Sequence, residues 1–454
     1  DTGDVVSVTG SYPTTMLSGS FTVGAGDNSP DLTVSSINLT GTLRDAALND
    51  ADTAIETGEN LAENAGIVID TTAPTISSIT SSTANGWYNN MSSVDITVNM
   101  SEPVTLAGAC NVQLDTGAIV SVSSAVYPAT VLNGTYAIGA GENSPDLDAT
   151  GVSIAGTLTD AAGNGADTTL PGSNLAMIKD IVIDTTPPEM TSFTSATADG
   201  SYRLGDVIDV TATFNEPVIL SGGTLDVNFN TGGTGVISAF GPASVASGSY
   251  TVGAGANEGH LSENTWGFSG WLQDRAGNSI NISMPPVTIN STRSIAIDTT
   301  DPYIASISSS TADGSYKEGD AIDVTVTFNE PVTLTGGPLD ITFDTGNVVH
   351  IPAFGPSLTA IGTYTVGAGE TSAHLSETTF GSSGPFVDAA GNTVLGTWPS
   401  TTISTGKNFI IDTTVPSISF VDSSTADGSY GLTSPVNVTV YFTEPVTLTG
   451  TMDL

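Results

Sequence analysis

Asp70, Asp184, Asp298 and Asp412 each open an Asp-Thr-Thr-x-Pro segment, and the intervals 184−70, 298−184 and 412−298 are all 114. Glu102, Glu216, Glu330 and Glu444, each followed by proline, recur at the same interval, as do Asp160, Asp274 and Asp388 of the Asp-x-Ala-Gly-Asn segments. A strict period of this length means that one structural unit has been copied, so fold and function belong to a row of modules. The expected units are residues 70–183, 184–297 and 298–411. They are flanked by 1–69, the C-terminal part of a unit, and 412–454, the N-terminal part of another. Four periods make 4 × 114 = 456 residues against 454 in the chain. Asp1-Thr2-Gly3 nonetheless matches Asp115-Thr116-Gly117 and Asp344-Thr345-Gly346, which lie inside units, so the chain starts and stops within a module.

Seven basic residues against 47 acidic ones leave a formal charge of −40. Nucleic-acid binding needs a cationic footprint, so that partner class is excluded, and anionic membranes would repel the chain for the same reason. With 38% hydrophobic residues there is enough apolar surface for folded cores. Charged residues are only 12% of the chain, so Ser, Thr, Asn and Gly dominate the surface and the carboxylates need a counter-charge. One cysteine excludes an internal disulfide framework. Cys110 stands where sister units carry Thr224 and Pro338, and it reads as a replaceable loop thiol. No apolar stretch approaches the roughly 18 residues of a membrane span, and no secretory leader is visible. Because the chain begins within a unit, neither absence locates the full protein. Few lysines, one cysteine and abundant Thr, Ser, Gly and Asn suit an extracellular or cell-surface protein of a bacterium or archaeon.

In the unit 298–411, proline-bounded, threonine-rich segments follow one another and no 3.6-residue apolar period persists, which predicts an all-β fold without helix. Strands are expected at Tyr303–Ile307, Ala321–Phe328, Leu339–Phe343, Val348–Ile351, Thr363–Val366, Phe386–Val387 and Phe409–Ile411. Thr311–Ser315 reads as a turn. In the second strand Ile322, Val324, Val326 and Phe328 alternate inward against Asp323, Thr325 and Thr327. Glu330-Pro331 should close that strand, because proline cannot donate to a ladder. About seven strands in a little over a hundred residues point to a Greek-key β-sandwich of immunoglobulin type. The Cys and Trp marks of antibody domains are missing.

The series Ile-Asp-Thr-Thr-x-Pro, Ser-Thr-Ala-Asp-Gly-Ser-Tyr, Val-Thr-Phe-Asn-Glu-Pro-Val, Thr-Val-Gly-Ala-Gly and Asp-Ala-Ala-Gly-Asn resembles the bacterial immunoglobulin-like, cadherin-like tandem repeats of giant surface adhesins and extracellular filaments. The resemblance covers the whole chain. It drifts in the unit opening at Asp70, where Asn85-Gly86 replaces the Asp-Gly turn and Met100-Ser101 replaces Phe-Asn before Glu102. Such repeats serve mostly as spacers, and their linkers bind calcium.

In a seven-strand sandwich the entering linker, the loop after the second strand and the loop after the sixth lie at one pole. The separations 102−70, 216−184 and 330−298 are 32, and 160−102, 274−216 and 388−330 are 58. The triads Asp70, Glu102, Asp160; Asp184, Glu216, Asp274; and Asp298, Glu330, Asp388 should therefore converge at module junctions. Asp45 at one end and Asp412 and Glu444 at the other are members of incomplete sets. Three gathered carboxylates repel one another unless a cation joins them. Oxygen donors without thiolate or imidazole suit Ca²⁺. Asn164, Asn278 and Asn392, and Asp199, Asp313 and Asp427, are further candidate ligands. The alternative is that Asp-Thr-Thr-x-Pro is only a capped turn whose Asp accepts backbone amides.

Other signals carry no chemistry. His260 and His374 are repeat positions, His350 stands alone in a strand, and no Ser, His and Asp grouping recurs, so no enzyme is expected. The Gly-Ala-Gly segments are strand-ending turns and hold no phosphate. Lys179, Arg293 and Lys407 are 114 apart and read as ion-pair residues. The leading expectation is a calcium-stiffened stalk or filament. Its terminal half-units would be completed by the continuing chain or by neighbouring copies, head to tail. The alternative is an array that binds glycans or ice through threonine-rich faces.

Overall fold

The computed structural model describes residues 1–454, and strands dominate it. Three separate apolar cores form, running from Ile76 to Ile183, from Met190 to Ile297 and from Ile304 to Ile411. Their first residues are 114 apart (190−76, 304−190), and so are their last (297−183, 411−297).

The third core is representative. The strand Ala321–Leu334 pairs antiparallel with Ile304–Ser308 on one side and with Phe354–Thr365 on the other. Leu339–Phe343 lies between Val348–Ile351 and Glu377–Ser382. Phe409–Asp412 runs parallel to Gly314–Tyr316 and antiparallel to Thr371–Ser372. Ile322, Val324, Val326 and Phe328 are buried and their neighbours are not, so the alternation read from the sequence holds. The burial of Ile341, Phe343, Tyr364 and Phe409 completes the same apolar interior.

Several expectations need correction. The strand does not stop at Glu330-Pro331. It continues to Leu334, and its register against Phe354–Thr365 jumps from Thr327↔Thr359 to Val332↔Ser357. Five steps on one strand thus face two on the other, a wide bulge that places proline where no ladder bond is required. The same jump occurs between Asn99 and Val104 and between Thr213 and Val218. Each bulge carries one of Glu102, Glu216 and Glu330. Gly314–Tyr316 is a strand where a turn was expected, and Glu377–Ser382 is a strand that its Thr- and Gly-rich sequence concealed.

Four one-turn helices also occur, at Leu61–Asn64, Leu175–Ile178, Ile289–Thr292 and Ile403–Gly406. A single turn is too short to display a 3.6-residue period. What starts it is a cap. Asn60 and Asn174 accept from the following amide, whereas Glu263 and Glu377 reach across from a neighbouring strand to the amides of Ile289 and Ile403, each at 2.7 Å. Cys110 is likewise no loop thiol. It is buried inside the strand Ser93–Leu114, and burial pushes its thiol pKa up to about 11.

Residues 1–69 contain isolated bridges, Thr9↔Ser18, Ser29↔Ile69 and Arg44↔Asp50, and residues 412–454 a hairpin of Ile418–Asp422 with Thr439–Phe442. Neither forms a core. Val5, Tyr12 and Met16 in the first and Phe420, Val436 and Val438 in the second are exposed.

Asp323 illustrates how a carboxylate is held where cations are scarce. It accepts from the Ser309 hydroxyl at 3.1 Å, the Ser310 amide at 2.9 Å, the Thr311 amide at 2.8 Å and the Thr311 hydroxyl. Burial opposes its ionisation, but these donors outweigh it and hold its pKa far below the ordinary 3.8. Asp209 is lowered in the same way. A depressed folded pKa contributes stability above the unfolded value, and that contribution is lost as pH falls through the folded one. Asp323→Ala should lower unfolding stability by about 1–3 kcal/mol at neutral pH. On acidification below 3.8 the parent should lose stability more steeply than the variant, as urea titrations at several pH values would measure.

Candidate metal centre

Three carboxylate groups assemble: Asp70, Glu102 and Asp160; Asp184, Glu216 and Asp274; Asp298, Glu330 and Asp388. In each, one oxygen per residue lies within 4.8 Å of the others. Each group joins three elements that the sequence holds apart. In two of the groups the first aspartate ends or directly follows the last strand of the preceding core: Asp184 succeeds Ile181–Ile183, and Asp298 is the final residue of Ile295–Asp298. Asp70 follows the isolated bridge Ser29↔Ile69. The glutamate sits in the bulge. The third residue, Asp160, Asp274 or Asp388, is buried at the start of the Gly-Asn turn.

The entering aspartate is fixed by its own turn. Asp70, Asp184 and Asp298 each accept with Oδ1 from the amide two residues on, at 2.9, 3.0 and 3.0 Å. The capped turn therefore exists and involves one oxygen, which leaves Oδ2 for the triad. The loop aspartate is fixed more tightly. Asp388 Oδ1 accepts from the amides of Ala390, Gly391 and Asn392 at 2.8, 2.7 and 2.9 Å, and Gly391 reaches this geometry at φ +91°.

Asn164, Asn278 and Asn392 have a positioning part besides the ligand role expected of them. Each side-chain amide donates twice: to Oδ2 of the loop aspartate, at 2.8, 2.7 and 2.8 Å, and to the backbone carbonyl of the entering aspartate, at 3.0, 2.9 and 2.9 Å. Their Nδ2 groups thus align the two aspartates, and these bonds leave each Oδ1 unengaged by the aspartates. Asp199 and Asp313 are elsewhere. Their carboxylates accept from the amides of Ser294 and Asn408 beside the last strand, and Asp199 also lies 4.0 Å from Arg293. The turn expected at Thr311–Ser315 and its counterpart lie along the strand edge, because Gly200–Tyr202 and Gly314–Tyr316 continue as strands. Asp427 joins no carboxylate group.

Asp45 is held as its counterparts are, by the Asn49 side chain at 2.8 Å and amide at 2.9 Å, but it belongs to no group of three. Asp412 makes its Thr414 turn at 2.9 Å and Glu444 buries an Oε1 without a partner; these two also complete no triad.

Sequence reading missed the residues that tie the linker backwards. Asn28, Asn143 and Asn257 of the preceding segment accept from the amides of Thr71, Thr185 and Thr299 at 2.9, 2.8 and 2.7 Å. Each asparagine stands in a Gly-Ala-Gly-x-Asn run, a repeated signal that was available. The Asp-Thr-Thr linker is thus hydrogen-bonded to the core it leaves and to the core it enters.

The electrostatics are one-sided. No lysine, arginine or histidine forms a salt bridge with any of the triad carboxylates. Burial raises the pKa of Glu102 and Glu216, and the neighbouring aspartates raise it further. Glu330 is raised by burial, eased by a hydrogen bond from Asn329, and raised again by Asp298, Asp388 and Asp301. Asp160 goes the other way: burial opposes ionisation, but the Asn164 side chain and the loop amides lower its pKa overall. Two ligands about 2.4 Å from one ion stand at most about 4.8 Å apart, so the spacing of these oxygens fits a single hard cation. The donor set is all oxygen, partly desolvated and uncompensated, as Ca²⁺ requires. Lys179, Arg293 and Lys407 are not primarily ion-pair residues. They donate to the carbonyls of Thr83, Ser195 and Thr311 at 2.9, 2.9 and 2.7 Å. His350 pairs with Asp340 at 2.6 Å, away from the triads.

No protein-family model matches the sequence, and no curated protein matches it. No helix is long and apolar enough to cross a membrane.

Asn278→Ala removes the donor shared by the Asp184 carbonyl and Asp274 Oδ2. It should cost the second core about 1–3 kcal/mol. A lower urea midpoint in chelator would register this, whereas an unchanged midpoint would show that the asparagine aligns nothing.

Proposed function

We propose that the chain is a non-enzymatic extracellular array of immunoglobulin-like Greek-key β-sandwiches, repeating every 114 residues and stiffened by Ca²⁺ at each junction. It would serve as the stalk of a large surface adhesin or the shaft of a filament. The observation that carries this reading is the position of the triads opening at Asp184 and Asp298, each of which joins the last strand of one core to the bulge and loop of the next. An ion there would bond Asp184, rooted in the first core, to Glu216 and Asp274 of the second. Hinge motion would then require breaking metal–oxygen bonds. Without the ion, repulsion among three carboxylates in a chain of charge −40 works against the closed junction. The exposed apolar residues of 1–69 and 412–454 fit segments completed by continuing chain or by a neighbouring copy, head to tail.

Calcium at a hundredfold excess over its Kd should stabilise each core by about 2.7 kcal/mol per occupied site. Glu216→Gln should remove that increment from the second core alone. Scattering in calcium should give a longer maximum dimension than in chelator. Identical melting curves and dimensions in the two buffers would sink the proposal.

Protons should compete with the ion. Because the folded pKa of Glu102, Glu216 and Glu330 is raised, their ionisation costs the metal-free fold stability as pH rises through those values, and calcium relieves that cost. The calcium-induced rise in Tm should therefore be full at neutral pH and shrink as pH falls towards the ordinary glutamate value of 4.5. Calorimetric scans across that range measure it directly.

A further inference from the structure

The chain has seven basic residues, so where each one points is informative. Lys179, Arg293 and Lys407 brace strand edges within their own cores. Arg44 pairs with Asp50, and Lys317 with Asp320 in the same turn. The remaining two reach out of their own cores. Arg275, in the Asp-Arg-Ala-Gly-Asn loop of the second core, lies over the Trp87 ring of the first, 5.7 Å from its centroid. Arg203, at the end of the second core's Gly200–Tyr202 strand, donates through Nη1 to the carbonyl of Gly391 in the third core's loop, at 2.5 Å.

The same pair of positions meets at both junctions. Asn89 and Arg203 are 114 apart, as are Gly277 and Gly391. At the first junction a Cβ on Gly277 would stand 3.5 Å from Asn89 Nδ2, and at the second a Cβ on Gly391 would stand 3.7 Å from Arg203 Nη1. What changes is the side that supplies the cation. The first junction has Asn89 before it and Arg275 in the loop, whereas the second has Arg203 before it and Ala389 at the position of Arg275.

We infer that adjacent cores are clasped directly by one arginine per junction, given by the following core at the first and by the preceding core at the second, independently of any bound ion. Trp87 offers a π face and Gly391 a bare carbonyl, so each guanidinium has an acceptor suited to it. The contact falls on the loop that carries Asp274 or Asp388, which gives this loop two duties: one carboxylate inward to the triad, and one outer surface to the preceding core. Tethering makes the contact intramolecular, so a modest attraction suffices to bias the junction.

Distances between spin labels on the full chain in chelator test this. Exposed Val131, Val245 and Thr359 occupy matching positions in the three cores and take cysteines in pairs, while buried Cys110 stays unlabelled. Arg275→Ala should broaden the 131-to-245 distribution, moving the closed-to-open ratio about threefold, and leave 245-to-359 unchanged. Arg203→Ala should do the reverse, by about tenfold. Both arginines are exposed, so melting temperatures should stay at the parent's, and Arg→Gln variants provide a second version of each test. Distributions in chelator that match the parent's at both junctions for every variant would overturn the inference. Adding calcium to the parent is a separate arm: its failure to narrow either distribution would count against the calcium reading and leave the clasp standing.

Discussion

The structure turns on the Asp-Thr-Thr linker, which is too short to be a tether. Asp298 is still the last residue of a strand in the second core when its carboxylate enters the third core's acidic group, and the third core's first strand begins at Ile304. Within that stretch Thr299 is bonded backwards to Asn257 and the Asp298 carbonyl forwards to Asn392. Neighbouring cores therefore share backbone that is hydrogen-bonded on both sides. The remaining freedom is a hinge of a few dihedrals, and carboxylates are gathered across that hinge. Whatever binds them acts where a small interaction controls a large arc.

The bulge is the second half of this arrangement. A strand that ended at Glu330-Pro331 would leave the glutamate on a mobile loop. Because the ladder resumes at Val332, the glutamate is fixed from both directions and projects from the ladder at a defined point. Proline contributes by lacking a donor, so the interruption strands no amide. The same construction at Glu102 and Glu216 gives three bulges of one register jump.

Several strands and the triads were legible because both depend on patterns that survive copying: period-two burial in Ala321–Phe328, and fixed spacing of acids. Leu339–Phe343 and Val348–Ile351 were readable to the residue. What escaped were features set by context. The one-turn helix at Ile403 depends on Glu377 from another strand, which local propensity cannot reveal. Glu377–Ser382 carries few apolar residues and is a strand because Leu339–Phe343 offers it an edge. Cys110 was misread since its sister positions hold Thr224 and Pro338, yet in its own core the strand runs unbroken and the thiol is sealed in. Asp199 and Asp313 read from the sequence as candidate ligands in a turn; the chain instead continues directly as an edge strand, and their carboxylates accept from the amides of Ser294 and Asn408.

A chain with so few cations must satisfy its carboxylates by other means, and the means differ by place. Asp209 and Asp323 are surrounded by hydroxyls and amides; Asp115 and Asp344 accept from Ser144 and Ser372 at 2.6 and 2.7 Å. Those donors are neutral and local, and at Asp209 and Asp323 they lower the pKa without any counter-ion. At the junctions neutral donors hold mainly the two aspartates of each triad. The glutamates of the bulges meet desolvation and like charge, offset at Glu330 by the Asn329 side-chain amide, and their pKa values rise on balance. Asp323 is held by four such donors, whereas Glu330 takes one, from Asn329. The scarcity of donors leaves oxygens available where an added positive charge would bond two cores rather than one, and this contrast within a single chain is the strongest argument for a cation at these junctions.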